Sequence, residues 1–209
     1  MALPPILVFD SRERYFPVSV EESLSIVGLR PPKNGQRTLD LPASLPSDPL
    51  NALPPVVYSR QVVAAGVVWY QWWLWYLYNP GPPALHGVGR HEGDWEMIQV
   101  GQVGARPLFV TLSQHNTGGK REWWGCEVRE GRLVVYVALG SHANYFQPGT
   151  TRDLDVCDGR GKVLETLEER PFGSWAEWRG RWGNSENSPG GLTTRRAWAS
   201  PHLVHSAAR

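Results

Sequence analysis

The run from Val62 to Tyr78 admits few folds: it is apolar almost throughout, and its residues are mainly Val, Trp and Tyr, which favour a pleated sheet over a helix. Gln71 interrupts it, which argues against a membrane span and for a buried or ligand-facing strand. Within it, Trp69-Tyr70-Gln71-Trp72-Trp73-Leu74-Trp75-Tyr76 puts aromatics on both faces of any strand it forms. Either both faces are buried between two layers, or one face walls a pocket in which Trp73 and Trp75 touch a ligand.

Further strands are predicted at Asp94 to Val100, Arg106 to Gln114, Glu122 to Glu130 and Arg132 to Leu139, with a hairpin-like junction at Glu130-Gly131. A shorter strand and turn is expected between Leu3 and Tyr15. Ser19-Val20-Glu21-Glu22-Ser23 has the form of a capping box opening a short helix. Trp175, Trp178 and Trp182 stand at helical spacing, so a second short helix is expected over Ser174 to Arg181, with its tryptophans in the core. The stretch 31–55, rich in Pro, Asn, Asp and Ser, reads as a long surface connection within one domain spanning 1–209. The expected fold is mainly β: an antiparallel sandwich, jelly-roll-like, with one or two short helices.

Composition excludes some partners. The 21 Lys and Arg balance 20 Asp and Glu without a basic block, which argues against a nucleic-acid partner. Cys126 and Cys157 form neither a zinc-ribbon spacing nor a dense disulfide framework; they read as two thiols, with one bridge between them as the alternative. The N-terminus lacks a basic region and reaches Asp10 before a signal-peptide core could form, so a cytoplasmic protein without a transmembrane segment is expected.

The chemistry-bearing segment is His91-Glu92-Gly93-Asp94-Trp95-Glu96. In a strand, Asp94 and Glu96 point to one face and Trp95 to the other. Adjacent carboxylates repel, and a proton, a basic neighbour or a cation must relieve that repulsion. His91 adds a neutral donor, and the mixed set suits Mg²⁺, Mn²⁺, Fe²⁺ or Zn²⁺, and Ca²⁺ where carbonyls and waters complete the shell. The competing account is a polar strand end in which Glu96 pairs with Arg90 or another base. His115 and His142 each follow a predicted strand, where a rigid scaffold presents side chains to a rim site. Arg90 and Arg121 lie beside the motif, where a guanidinium can orient an anionic group. No serine-hydrolase elbow, phosphate-binding loop or His-Glu-x-x-His helix is present in the sequence.

Several short motifs occur in an order that resembles the vacuolar-protein-sorting protein 62 family. They are Phe9-Asp10 with Glu13-Arg14-Tyr15-Phe16-Pro17, Tyr78-Asn79, His91 to Glu96, Ser113-Gln114-His115, Val135-Tyr136-Val137-Ala138 leading into Gly140-Ser141-His142-Ala143, Gly180-Arg181-Trp182-Gly183 and Ser188-Pro189. The chain is more distantly similar to the necrosis-inducing toxins of plant pathogens, single-domain β-sandwiches whose Asp-Trp-Glu segment helps hold a divalent cation used in membrane-lipid recognition. That resemblance implies His91, Asp94 and Glu96 as ligands and places neutral Asn79 where the toxins carry an Asp.

Two functions are expected from this reading. The first is a divalent-metal-dependent enzyme acting on a small or lipid-like substrate in an aromatic-lined site. His91, Asp94, Glu96 and His142 hold its metal, His115 and His142 are its catalytic groups, and Asn79, Trp73, Trp75, Gln114 and Arg90 contact the substrate. The second is a non-catalytic module in which the cation bridges the protein to a lipid or glycan. The number of histidines ranks the enzyme first.

Overall fold

In a computed structural model that describes residues 3–43, 47–115 and 117–203, the chain is mainly β. The longer strands are Ile6–Phe9 (β1), Val56–Ala64 (β2), Val67–Asn79 (β3), His91–Val103 (β4), Arg106–Gln114 (β5), Thr117–Glu122 (β6) and Arg132–Val137 (β8). Short strands are Val128–Arg129 (β7), Asn144–Tyr145 (β9), Gly149–Thr150 (β10), Val156–Cys157 (β11), Val163–Leu164 (β12) and Glu168–Arg170 (β13). The α-helices among the described residues are Val20–Ile26 (α1), Ser47–Asn51 (α2) and Arg196–Ala199 (α3). None of the described helices is long and apolar enough to cross a membrane.

One sheet has the order β13-β2-β3-β4-β5-β6, and the other has β12-β1-β8-β7 with β9 also paired to β8. The expected sandwich is therefore mixed and not wholly antiparallel: β1 runs parallel to β8, and β13 parallel to β2. The larger sheet is buried on both faces because β3 alternates large side chains. Trp72, Leu74 and Tyr76 meet Leu7, Phe9, Val135 and Val137 of the second sheet. Trp73, Trp75 and Leu77 meet Leu24 of α1 and Trp175, Trp178 and Trp182 of the later loops. Each fully buried side chain of this size stabilises the fold by about 3 kcal/mol, so both faces of β3 are anchored.

Several local expectations change. The strand expected from Val62 to Tyr78 is two strands, because the chain reverses at Ala65-Gly66, both with positive φ (52° and 73°), the geometry of a tight two-residue hairpin. The strand expected from Glu122 to Glu130 breaks where Cys126 N–H closes a turn onto the Trp123 carbonyl, leaving only Val128–Arg129 extended. The helix expected over Ser174 to Arg181 is one 3₁₀ turn, Ser174–Glu177, after which Arg181 bridges Thr38 and Gly190 in extended pairing. Gly180 permits that path, since a Cβ there would lie 2.6 Å from the Arg37 carbonyl oxygen. The three tryptophans are core residues as expected.

Ser19 caps α1 by accepting from Glu22 N–H (3.1 Å). The reciprocal half of a capping box is absent, because Glu22 turns to Arg170 (3.3 Å). Glu21 instead ties the helix to the core, accepting from Tyr58 OH (2.8 Å) and Trp175 Nε1 (2.6 Å). Within 31–55, Leu39, Leu41 and Leu50 are buried in the same cluster, so this stretch packs as well as connects; residues 44–46 lie outside the described set. Cys126 and Cys157 are free thiols, which removes the alternative of a bridge.

Candidate functional site

β4 pairs with β3 in the register Trp75↔Trp95, Tyr76↔Asp94, Tyr78↔Glu92 and Asn79↔His91. Trp95 enters the tryptophan cluster, and Asp94 and Glu96 lie on the opposite face, as the two-residue period requires. His91 is three residues from Asp94 and would face away from it in a regular strand. Gly93 has φ +63°, and this left-handed residue resets the alternation. Across the reset Tyr78 joins the tryptophan cluster while Tyr76 belongs to the other one, and Asn79 and His91 come round to the face of Asp94.

Asp94 is almost fully buried. Its Oδ2 accepts from Asn79 Nδ2 (2.9 Å) and from His142 Nδ1 (3.0 Å). Its Oδ1 lies 3.6 Å from His91 Nε2. His91 Nδ1 donates to the Gly89 carbonyl oxygen (2.8 Å), so in the neutral ring Nε2 carries the lone pair. Two electron-rich atoms then face one another across a gap that a proton on Nε2 or a cation must bridge.

Glu96 Oε2 accepts from Ser113 Oγ and, at 3.5 Å, from Asn144 Nδ2. Burial and then the charge of Asp94 push the Glu96 carboxyl well above the usual range. Burial would raise Asp94 too, but its bonds to His142 and His91 hold it low, so the negative charge of the pair resides on Asp94.

These groups open onto a cavity of about 540 Å³, bounded also by Asn79, Ser113, His115, Ser141 and Arg195. Its far wall is the loop 186–190. Glu92 fastens that loop from below, accepting from Ser185 N–H (3.0 Å) and Ser188 Oγ (3.3 Å). An adjoining hollow of about 410 Å³ shares Asn79, His91 and His115 and adds an apolar ledge of Pro82, Leu85 and Val88.

The sequence-predicted residues divide. His91, Asp94, Glu96, Asn79 and His115 line the cavity. His142 corrects expectation: it is fully buried, stacked on the Tyr76 ring (3.9 Å, 6°), and it reaches the cavity only through Asp94. Its Nε2 lies 3.8 Å from Glu13 Oε1. Burial alone would lower its pKa, but the bond to Asp94 and the nearby charge of Glu13 raise it to about 9, which favours an imidazolium between the two carboxylates. Trp73 and Trp75 are also corrected, because both are wholly buried, bonded to Gln71 Oε1 (3.3 Å) and Ser23 Oγ (3.1 Å). Gln114 is turned to the Asn144 carbonyl (3.0 Å). Arg90 is exposed and faces a separate depression beside Tyr78 and Glu92, and Arg121 lies over the Phe146 ring (4.6 Å).

Three residues escaped the sequence reading. Glu13 braces His142, Arg195 enters the cavity from the C-terminal segment, and Asp155 holds His115. Asp155 accepts from His115 Nε2 (2.7 Å), Ser141 Oγ (2.5 Å) and Tyr145 OH (2.5 Å). Ser141 and His115 thus donate to one carboxylate, which is no nucleophile–base pair.

This cluster sets a pH window. The bond to Asp155 outweighs burial and holds His115 above its ordinary 6.5. Burial would raise Asp155, but His115, Ser141 and Tyr145 hold it below 3.8. The pair's contribution to stability is therefore complete between 3.8 and 6.5. It is lost as pH rises through the raised histidine value or falls through the depressed carboxylate value. An NMR titration of the His115 ring should give a midpoint above 6.5 that drops in Asp155→Asn. A midpoint unmoved by the substitution would show that the ion pair does not form in solution.

Among the described residues no three His, Cys, Asp or Glu side chains stand together as a ready metal cage. His91 Nε2 and Asp94 Oδ1 are nevertheless a donor pair of suitable type, with Glu96 on the same face.

No family model matches the chain, and no curated protein matches it, so the resemblance to the sorting-protein family rests on its short motifs alone. Solved structures do resemble it. One is NLPPya in complex with glucosamine (16% identity, TM-score 0.46, 69% of this chain and 62% of that one). A second is necrosis and ethylene inducing protein 2 from the causal agent of cocoa's witches' broom disease (16%, 0.48, 80% and 71%). A third is the non-toxic HaNLP3 protein (14%, 0.49, 81% and 71%). The chain spans less than two thirds of the first of these, and no residue role is taken from any of them. They share the NLP toxin fold, the fold of the group to which the sequence bears its more distant similarity.

Proposed function

We propose that the chain is a cation-dependent binding module for a small or lipid-like ligand. A divalent cation would be held by His91 Nε2, Asp94 Oδ1 and Glu96, with ligand oxygens and solvent completing the shell. The observation that carries this reading is the bond from His91 Nδ1 to Gly89, which presents the Nε2 lone pair to Asp94 Oδ1 across 3.6 Å. Asn79 and His142 fix Asp94 in place, as partners behind a metal ligand do. The apolar ledge of Pro82, Leu85 and Val88 offers room for a hydrocarbon portion of the ligand.

Binding ranks above catalysis because the expected catalytic histidine His142 is sealed in and both Ser113 and Ser141 are committed to carboxylates. The enzyme reading keeps one specific support. The His115–Asp155 pair stands at the cavity with its imidazole partly open, where it can accept or deliver a proton.

Calorimetric titration of chelator-treated protein with calcium, magnesium, manganese and zinc should give one site that Glu96→Gln weakens by more than about tenfold. His115→Ala should leave that affinity unchanged. Failure of all four ions to bind would end the cation reading.

A further inference from the structure

Arg195 does not come from any strand of the site; it arrives on the C-terminal segment that crosses the face of the larger sheet turned away from the second sheet. Three side chains strap that segment down by backbone carbonyls. Gln71 Nε2 donates to Ala197 O (2.7 Å), Gln99 Nε2 to Pro201 O (3.0 Å) and Arg60 Nη2 to Trp198 O (3.2 Å). Gln71 and Gln99 are fully buried, and Gln71 is the residue that interrupts the apolar run of β3. Trp198 adds packing against Trp73 (5.7 Å) and Phe172 (5.0 Å). Polar side chains in mid-sheet are costly unless bonded, and here their bonds set the position of the residue that leads the strap into the cavity.

Arg195 is half-buried, and its guanidinium lies close enough to Glu96 and Asp94 to feel their charge. Among the described residues its one hydrogen bond runs from Nη1 to the Trp95 carbonyl oxygen (2.9 Å), and it forms no ion pair. Arginine has five N–H donors in a rigid fork, so most of them are uncommitted in a group that lines the cavity. A half-buried guanidinium beside Asp94 and Glu96 and paired with neither is poorly explained as their counterion.

We propose that Arg195 makes the cavity an anion-recognising site, in which a carboxylate or phosphate group of the ligand docks on the guanidinium fork. The inference rests on the cation reading in one respect. A divalent cation would displace the Glu96 proton and cancel the charges of Asp94 and Glu96, which leaves Arg195 as the uncompensated charge of a cavity that then attracts anions. A fork held by a strapped segment binds such a group with little loss of side-chain entropy. Sequence reading looked for this role at Arg90 and Arg121, which stand elsewhere.

The test is an NMR titration of the full chain with methyl phosphate and with acetate, in calcium chloride, in magnesium chloride and without divalent ion. It uses the parent, Arg195→Met and Arg195→Lys. Anion binding should appear in the parent with cation present, weaken by about tenfold or more in Arg195→Met, and return in part in Arg195→Lys. Cation binding should persist in both variants and tighten in Arg195→Met, where a positive charge beside the ion is gone; circular dichroism and thermal unfolding report that both variants fold. Preference for methyl phosphate or for acetate then identifies the anionic group. Equal anion binding by parent and Arg195→Met, or none by the cation-loaded parent, overturns the inference. Should the parent bind no cation, the cation reading fails separately. The ion-free titration then decides this one: Arg195-dependent binding sustains it, and no binding overturns it.

Discussion

Gly93→Ala should cost about 3 kcal/mol of folding stability and abolish cation binding in the fraction that still folds. A Cβ at this position would lie 2.3 Å from the Trp182 carbonyl oxygen and 2.7 Å from Trp75 Cη2. Neither neighbour can give way, because Trp75 and Trp182 are fully buried against each other with centroids 4.7 Å apart. The backbone adds its own penalty, since φ is +63° and an alanine is strained there. The functional consequence comes from parity. Without the left-handed residue the strand resumes regular alternation, and either His91 or Asp94 must leave the shared face. Denaturant unfolding measures the first effect and ion titration of the folded fraction the second. An alanine variant of parental stability would show that the tryptophan cluster is loose. One that folds and still binds the ion would refute the parity argument.

The same residue marks where sequence reading stopped. Asp94 and Glu96 opposite Trp95 follow from period-two geometry alone, and the structure has them so. A glycine inside a strand signals a bulge, but the lack of room for a Cβ comes from the ring of Trp75 and the carbonyl of Trp182, and period-two counting contains neither. The turn at Ala65-Gly66 was hidden because alanine is not a turn-former and the apolar pattern continues on both sides. The tryptophans at 175, 178 and 182 were legible as core but not as non-helical, since their spacing is met by a 3₁₀ turn followed by extended chain. Arg195, Asp155 and Glu13 act on partners 100, 40 and 129 positions away, counting to Trp95, His115 and His142, and nothing in their local sequence distinguishes them from surface charges.

Asp94→Asn and Glu96→Gln, two residues apart on one face, should separate stability from cation binding. In the ion-free protein Asp94 carries the negative charge of the pair, and it clamps a buried His142 imidazolium from one side while Glu13 stands on the other. Removing that charge leaves a buried cation with half its compensation, which costs about 3 kcal/mol. Glu96 is held protonated by burial and by Asp94, so glutamine reproduces its charge state and can still accept from Ser113; the expected cost is under about 1 kcal/mol. Both variants should nevertheless lose cation affinity, Asp94→Asn by more than about 100-fold, because Asp94→Asn deletes an anionic donor and Glu96→Gln deletes a carboxyl that would give up its proton to the cation. Urea unfolding in chelator and calorimetry with the bound ion read the two quantities independently. Equal destabilisation by the two substitutions would mean that the charge is shared between the carboxylates, and the account of Asp94 as the clamped anion would fall. Unchanged ion affinity in both would remove the strand β4 carboxylates from the site altogether, whatever their effect on stability.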